Sequence, residues 1–168
     1  MEPLSVTDLA TRVLLGASEA EMAMAVRQLR YWTLERIFPT INPSSIKTGK
    51  GKHREYDERT IPFAAVAVEL GNRFKLNAEQ LRKVMLSLWL FVEGPSMDRD
   101  EYQRLWRGAI DGTVDDVWLV IQIPRTPSAP VIALDVVNTA QIHGYLAIEH
   151  VASTLLVNLS RLFARVRS

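Results

Sequence analysis

The chain of 168 residues contains no cysteine. That absence removes disulfides, thiol catalysis and thiolate metal sites together, and it suits a reducing compartment. The longest apolar stretches, around Leu86–Val92 and Val117–Ile123, fall short of the roughly 18 residues that a membrane-spanning helix needs. The opening Met1-Glu2-Pro3-Leu4-Ser5 lacks the basic-then-apolar order of a signal peptide. No internal repeat or low-complexity tract is visible. No glycine loop has the pattern of a nucleotide cradle, and no serine has a recognisable base partner. Asp115 and Asp116 imitate a carboxylate pair, but adjacent residues point differently and nothing nearby would tune them. The expectation is a non-enzyme in the cytoplasm, with no cofactor and no membrane partner.

What the chain does contain is core-forming material: 48% hydrophobic residues, with four Trp and five Phe. At this length it can bury one good core or two small ones. The net charge is only +1, but its sign is unevenly spread. Up to Val92 there are thirteen Lys and Arg against ten Asp and Glu; from Glu93 onward there are seven against nine. Lys47–Arg54 carries Lys47, Lys50, Lys52 and Arg54 with no acid among them. A polyanion should therefore meet the N-terminal half.

Spacing and punctuation lay out the elements. Val6, Leu9, Ala10, Val13 and Leu14 recur at helical intervals, with Ser5 or Thr7 to cap them and Gly16 to stop them. Ser18 with Glu21 has capping-box spacing and opens a helix to Ile37. Met22, Val26, Leu29, Trp32 or Thr33, and Ile37 form its apolar face, and Arg27, Arg30, Tyr31 and Leu34 the opposite one. Thr40–Tyr56 is a loop whose later half can form a hairpin around Gly49 and Gly51. Asp57 or Thr60 caps the next helix, whose start near Thr60 suits Pro62 in the first turn; Gly71 is its expected stop. Asn77 with Gln80 caps another, with Leu81, Val84, Met85, Leu88 and Trp89 inward.

Glu93-Gly94-Pro95-Ser96 marks a joint, which divides the chain into 1–92 and 93–168. After it, Asp98 with Glu101 opens a short helix with Tyr102, Leu105, Trp106, Ala109 and Ile110 inward. Val117–Ile123 and Val131–Val137 are β-rich, and the proline-rich loop between them predicts an antiparallel pair. From Ala140 to Val166 a long final helix is expected. Tyr145, Ile148, Ala152, Leu155, Leu159, Leu162 and Val166 alternate at three and four residues, the pattern of a coiled-coil seam. Ile148, Leu155, Leu159, Leu162 and Val166 are the expected dimerisation residues of a homodimer.

The definite chemistry lies in the N-terminal half. A helix bearing Arg27, Gln28, Arg30 and Tyr31 can enter a major groove, where Arg addresses guanine or phosphate and Gln addresses adenine. Lys47, Lys50, Lys52, His53 and Arg54 beside it can grip phosphates. The bland alternatives are a solvated helix face and an ordinary surface lysine loop. His143 and His150, with Glu149 adjacent, fall short of the three or four ligands a metal site requires, so no metal is expected. Trp89, Trp106 and Trp118 could line an effector pocket, though such residues more often build core.

Leu29-Arg30-Tyr31-Trp32, then Ile37-Phe38-Pro39, then Arg54-Glu55-Tyr56 resembles, in order and spacing, the MerR family of winged helix-turn-helix regulators. Glu69-Leu70-Gly71 and Leu76-Asn77-Ala78-Glu79-Gln80-Leu81 look like the paired helices after that family's wing. The likeness covers roughly Met24–Met85. It implies a winged helix-turn-helix over the first half, with Tyr31 and Arg54 at positions that touch phosphate and Tyr56 packing the wing. Arg36 stands where the family usually has glycine, so the turn there is expected to be built differently. Thr40 replaces a frequent proline, Ala17–Ala25 lacks the family's tight glycine-containing turn, and the likeness stops at Val92. The expected fold is mainly α with a small β part: the winged domain, then an α+β part with a hairpin and the long C-terminal helix. The expected function is sequence-specific DNA binding as a dimeric transcriptional regulator. The alternatives are an excisionase-like DNA-bending factor for recombination and a protein-interaction module. Any small-molecule effector, the operator and the sign of regulation stay open.

Overall fold

In the computed structural model, which describes residues 3–38, 55–94, 100–124, 133–146 and 151–167, the first helix, α1 (Val6–Val13), starts from a capping box. The Ser5 hydroxyl accepts the Asp8 N–H at 3.2 Å and the Asp8 carboxylate accepts the Ser5 N–H at 2.9 Å. The chain turns at Gly16, whose φ of +77° suits a residue without a Cβ. Ser18 and Glu21 then repeat the capping box and open α2 (Glu19–Leu34). Ala25, Leu29, Trp32 and Thr33 form its buried side; of the expected apolar face, Met22 and Val26 are only half-buried, because the helix is rotated to turn Ala25 inward.

α2 ends three residues before the expected Ile37, and the reason is at Arg36. The Arg36 N–H reaches the Thr33 carbonyl at 3.2 Å and the Ile37 N–H reaches the Trp32 carbonyl at 2.9 Å. This pair of bonds is a Schellman termination. Arg36 has φ +55°, so it occupies the left-handed position that glycine usually fills. The expectation of a differently built turn is therefore corrected. The turn is the usual one, and the absence of glycine is tolerated because Arg36 is exposed and the flanking Ile37 and Trp32 are buried anchors.

α3 (Thr60–Arg73) begins where Pro62 predicts, with neither Asp57 nor Thr60 acting as its side-chain cap. The Asp57 carboxylate instead accepts the Arg59 N–H at 2.7 Å and pairs with the Arg59 guanidinium. Gly71 does not stop this helix, which continues to Arg73. A Cβ at Gly71 would lie 2.8 Å from Trp32 Cζ2, so the glycine serves close packing against α2. Asn77 and Gln80 cap each other's backbone at 3.1 and 2.9 Å and open α4 (Ala78–Val92).

By its internal contacts the chain divides into two units, Met1–Leu86 with Arg165–Ser168, and Ser87–Ala164. The first has a core of Leu9, Ala10, Leu29, Trp32, Ile37, Phe38, Tyr56, Phe63, Val66 and Leu70 among others. In the second, α5 (Asp100–Asp111) buries Leu105, Trp106 and Ala109. Strands β1 (Val117–Pro124) and β2 (Ala133–Asn138) form the expected antiparallel pair, with Leu119 opposite Val136 and Ile121 opposite Leu134.

The long C-terminal helix is a correction. Residues 139–141 make a 3-10 turn, α6 (His143–Leu146) is a single turn, and Val151–Asn158 is a strand, β3. β3 pairs antiparallel with the free edge of β1, completing a three-stranded sheet in the order β2-β1-β3. Among the described residues of this stretch, α7 (Leu159–Arg167) is the one helix longer than a single turn, and Asn158 caps it by accepting the Arg161 N–H at 2.8 Å. Three-and-four spacing and strand alternation share many apolar positions. β1 offers a ladder to a segment holding the β-branched Val151, Thr154 and Val157, and that ladder decides. Leu155 is thus a strand residue opposite Ile121, half-buried, whereas Leu159 and Leu162 are buried on α7 and Val166 is half-buried there. Ile148 lies outside the described residues. The five do not form one helical seam.

The sheet has two covered faces. Val117, Leu119 and Ile121, with Val136 and Val157 opposite them, share one face; all five are buried. Trp106 and Phe163, from α5 and α7, meet edge to face at 5.1 Å. On the other face Val120 and Val137 pack with Ile142, and Trp118, Tyr145 and Leu156 flank them. The Ser160 hydroxyl accepts the Val117 N–H at 3.0 Å and donates to the Val114 carbonyl at 3.2 Å, fastening the start of α7 to the start of β1.

Candidate nucleic-acid interface

α2 is held by its inner face and presents its outer one. Ala25, Leu29, Trp32 and Thr33 fix its rotation, which sends Arg27, Arg30, Tyr31 and Leu34 outward at three- and four-residue spacing. Arg27 and Arg30 are exposed, and Tyr31 and Leu34 are about half exposed. Three of the four expected contact residues on this helix therefore share one accessible face. Gln28 stands apart: it is half-buried and turned toward α3, its Nε2 3.4 Å from where a Cβ on Gly71 would lie. An open groove of about 510 Å³ also runs along α2, lined by Met22, Ala23, Val26, Arg27 and Arg30 among others.

The last turn of α2 is tied to both ends of the basic segment's flanks. Trp32 meets Phe38 edge to face at 6.4 Å, just before that segment. Just after it, Tyr56 is buried and exchanges 2.9 Å backbone hydrogen bonds with Leu4. The Thr33 hydroxyl donates to the Leu29 carbonyl at 2.7 Å and lies 2.9 Å from the Tyr56 hydroxyl. A hydroxyl has one proton, so Thr33 is the acceptor and Tyr56 the donor of the second bond. Lys47, Lys50, Lys52, His53 and Arg54 lie outside the described residues, but their flanking residues Phe38 and Tyr56 both belong to the core beneath α2.

Charge along α2 is graded. Glu19 and Glu21 are in its first turn, and the Glu21 carboxyl is held below its ordinary range by the Ser18 hydroxyl and then the Ser18 N–H. Carboxylates suit the positive end of the helix dipole but would repel phosphate. The cationic part of the helix begins at Arg27, so a polyanion would meet the helix beyond its acidic first turn.

The second unit holds a polar cluster that the sequence does not announce. The Tyr145 hydroxyl donates to the Asp135 carboxylate, and the Gln122 amide donates to the Tyr145 carbonyl at 3.2 Å. Burial pushes the Asp135 carboxyl up, against the lowering effect of the Tyr145 hydrogen bond. Burial and the neighbouring carboxylate raise the Tyr145 phenol. With the Trp118 indole donating to the Thr139 hydroxyl at 2.9 Å, these bonds pin residues 139–146 over the sheet. Reading Tyr145 as part of a helical seam hid its strand-side partner. Trp106 is core; Trp89 and Trp118 are half-buried. Asp115 and Asp116 are exposed, as is His143, and His150 lies outside the described residues. Among the described residues no group of three or more His, Asp or Glu is arranged to hold a metal ion.

No family model and no curated protein matches this chain.

Proposed function

We propose that the protein is a sequence-specific DNA-binding transcriptional regulator whose first half works as a MerR-like winged helix-turn-helix. One observation carries the reading: the outward face of α2 combines Arg27, Arg30 and Tyr31 on a helix rigidly seated by Leu29, Trp32 and Thr33. In this reading α2 enters the major groove, Arg27 and Arg30 address guanine edges or phosphates, and Tyr31 positions the backbone. The segment Lys47–Arg54 acts as the wing on adjacent phosphates, steadied by the anchoring of Tyr56 through Thr33 and Leu4. Two copies acting together would double the contact over a palindromic site. The work is binding rather than catalysis.

The test is fluorescence anisotropy on duplex genomic fragments across a salt series. Native protein should bind selected fragments with a steep salt dependence. Arg30→Ala and Lys52→Ala should each flatten the slope by about one unit, the loss of one phosphate contact. Equal affinity for every fragment, with both variants indistinguishable from native, would refute it. Sedimentation of the DNA-bound species decides whether it is a dimer.

A further inference from the structure

We infer that the outward face of α2 selects DNA by touching thymine C5-methyl groups, with Met24 as the principal apolar contact and Arg27 as the polar contact beside it. This rests on the reading of α2 as the groove-entering helix and specifies which bases it favours.

A helix face that meets only water normally carries charged and polar side chains opposite the core. α2 departs from that. From Met22 to Leu34 the helix holds no carboxylate. Its outward positions are Ala23, Met24, Arg27, Arg30, Tyr31 and Leu34. Met24 is 68% exposed, more than any other large hydrophobic among the described residues, and Tyr31 and Leu34 are about half exposed. None of these three is needed to fill the core, which Ala25, Leu29 and Trp32 already supply. The face is therefore apolar and cationic at once, complementary to an anionic surface that also displays apolar groups.

A DNA major groove has that chemistry. Its floor offers hydrogen-bond donors and acceptors and one apolar group, the thymine methyl, and its walls are phosphates. The small Ala23 lets the helix backbone approach the floor closely. Met24, one turn before Arg27 and Gln28, extends an unbranched, adaptable thioether onto a methyl, while Arg27 reaches a guanine edge or a phosphate. A helix that gripped phosphates alone would have no use for an exposed methionine there.

The test begins with a duplex pool of randomised core, from which the protein selects its preferred sequences at moderate salt. The enriched duplex is then made twice, once with thymidine and once with deoxyuridine, which lacks only the methyl. Native protein should bind the thymidine duplex about three- to fivefold more tightly for each contacted methyl. Met24→Ala should weaken the thymidine duplex and bring the two affinities close to equality. Arg27→Ala should weaken both and keep their ratio. Because Met24 is exposed, the thermal melt of Met24→Ala should match native, which separates contact from folding. Equal binding of the two duplexes by native protein, with sequence selection intact, overturns this inference and leaves the DNA-binding reading standing. Failure to enrich any duplex overturns both. If Met24→Ala alters self-association in sedimentation but not the thymidine-to-deoxyuridine ratio, the face pairs protein with protein and the inference fails.

Discussion

Arg36 offers a direct test of how α2 is terminated. A left-handed backbone costs a residue with a Cβ roughly 1–2 kcal/mol, and glycine escapes that cost. Glycine also enlarges the unfolded ensemble, which takes back about 0.4–1 kcal/mol. Removing a cation near the helix C-terminus subtracts about 0.3 kcal/mol more. Arg36→Gly should therefore stabilise only modestly, by about 0.5 kcal/mol. The cleaner comparison is Arg36→Gly against Arg36→Ala, since both lose the charge and they differ only in the Cβ. Gly should exceed Ala by about 0.8 kcal/mol, or roughly 2–3 °C in melting temperature for a chain of this size. Urea denaturation followed by far-ultraviolet circular dichroism measures this as a shift in midpoint at constant slope. The φ of +55° at Arg36 and the bonds to Thr33 and Trp32 require that order. An alanine variant as stable as the glycine variant would refute the Schellman termination.

Gly71→Ala should destabilise by about 1 kcal/mol. Crowding against Trp32 costs roughly 1–3 kcal/mol and outweighs the helix-propensity gain of alanine, and a rise in the urea midpoint would contradict that. Thr33→Val and Tyr56→Phe should each cost about 1–2 kcal/mol by breaking a buried hydroxyl pair. The double variant should cost less than their sum, and strict additivity in the cycle would deny the bond. Asp135 supplies a pH dependence. Its folded pKa is raised above the unfolded value of 3.8, chiefly by burial, so the folded state holds its proton more tightly. The stability this contributes is full below pH 3.8 and is lost as pH rises through the folded pKa. Asp135→Asn, which can still accept from Tyr145, should remove that downward slope from melting curves recorded across the acid range; an unchanged profile would show that Asp135 does not titrate there.

Much of the first unit is legible from local chemistry. Ser5 with Asp8, Ser18 with Glu21, and Asn77 with Gln80 set helix starts through contacts three residues apart, and Pro62 sets another through its missing N–H. Apolar spacing turns Leu29 and Trp32 inward and Arg27, Arg30 and Tyr31 outward, but packing buries Ala25 where spacing favoured Met22 and Val26. Glycine is where local reading misleads. Gly71 looks like a stop but makes room for Trp32, and Arg36 does a glycine's work without being one. Both outcomes depend on residues distant in sequence or on backbone bonds to buried anchors.

The amino-acid order thus determined the capped helices, the β1–β2 pair and the outward cationic face, because each depends on neighbours within a turn or across one loop. Only the tertiary structure decided the fate of residues 151–158. Their apolar spacing satisfies a helix and a strand equally well, and the open edge of β1, some thirty residues earlier in the chain, supplies the hydrogen bonds that settle the choice. The same long-range packing brought Asp135 to Tyr145 and Thr33 to Tyr56, pairings that no local pattern encodes.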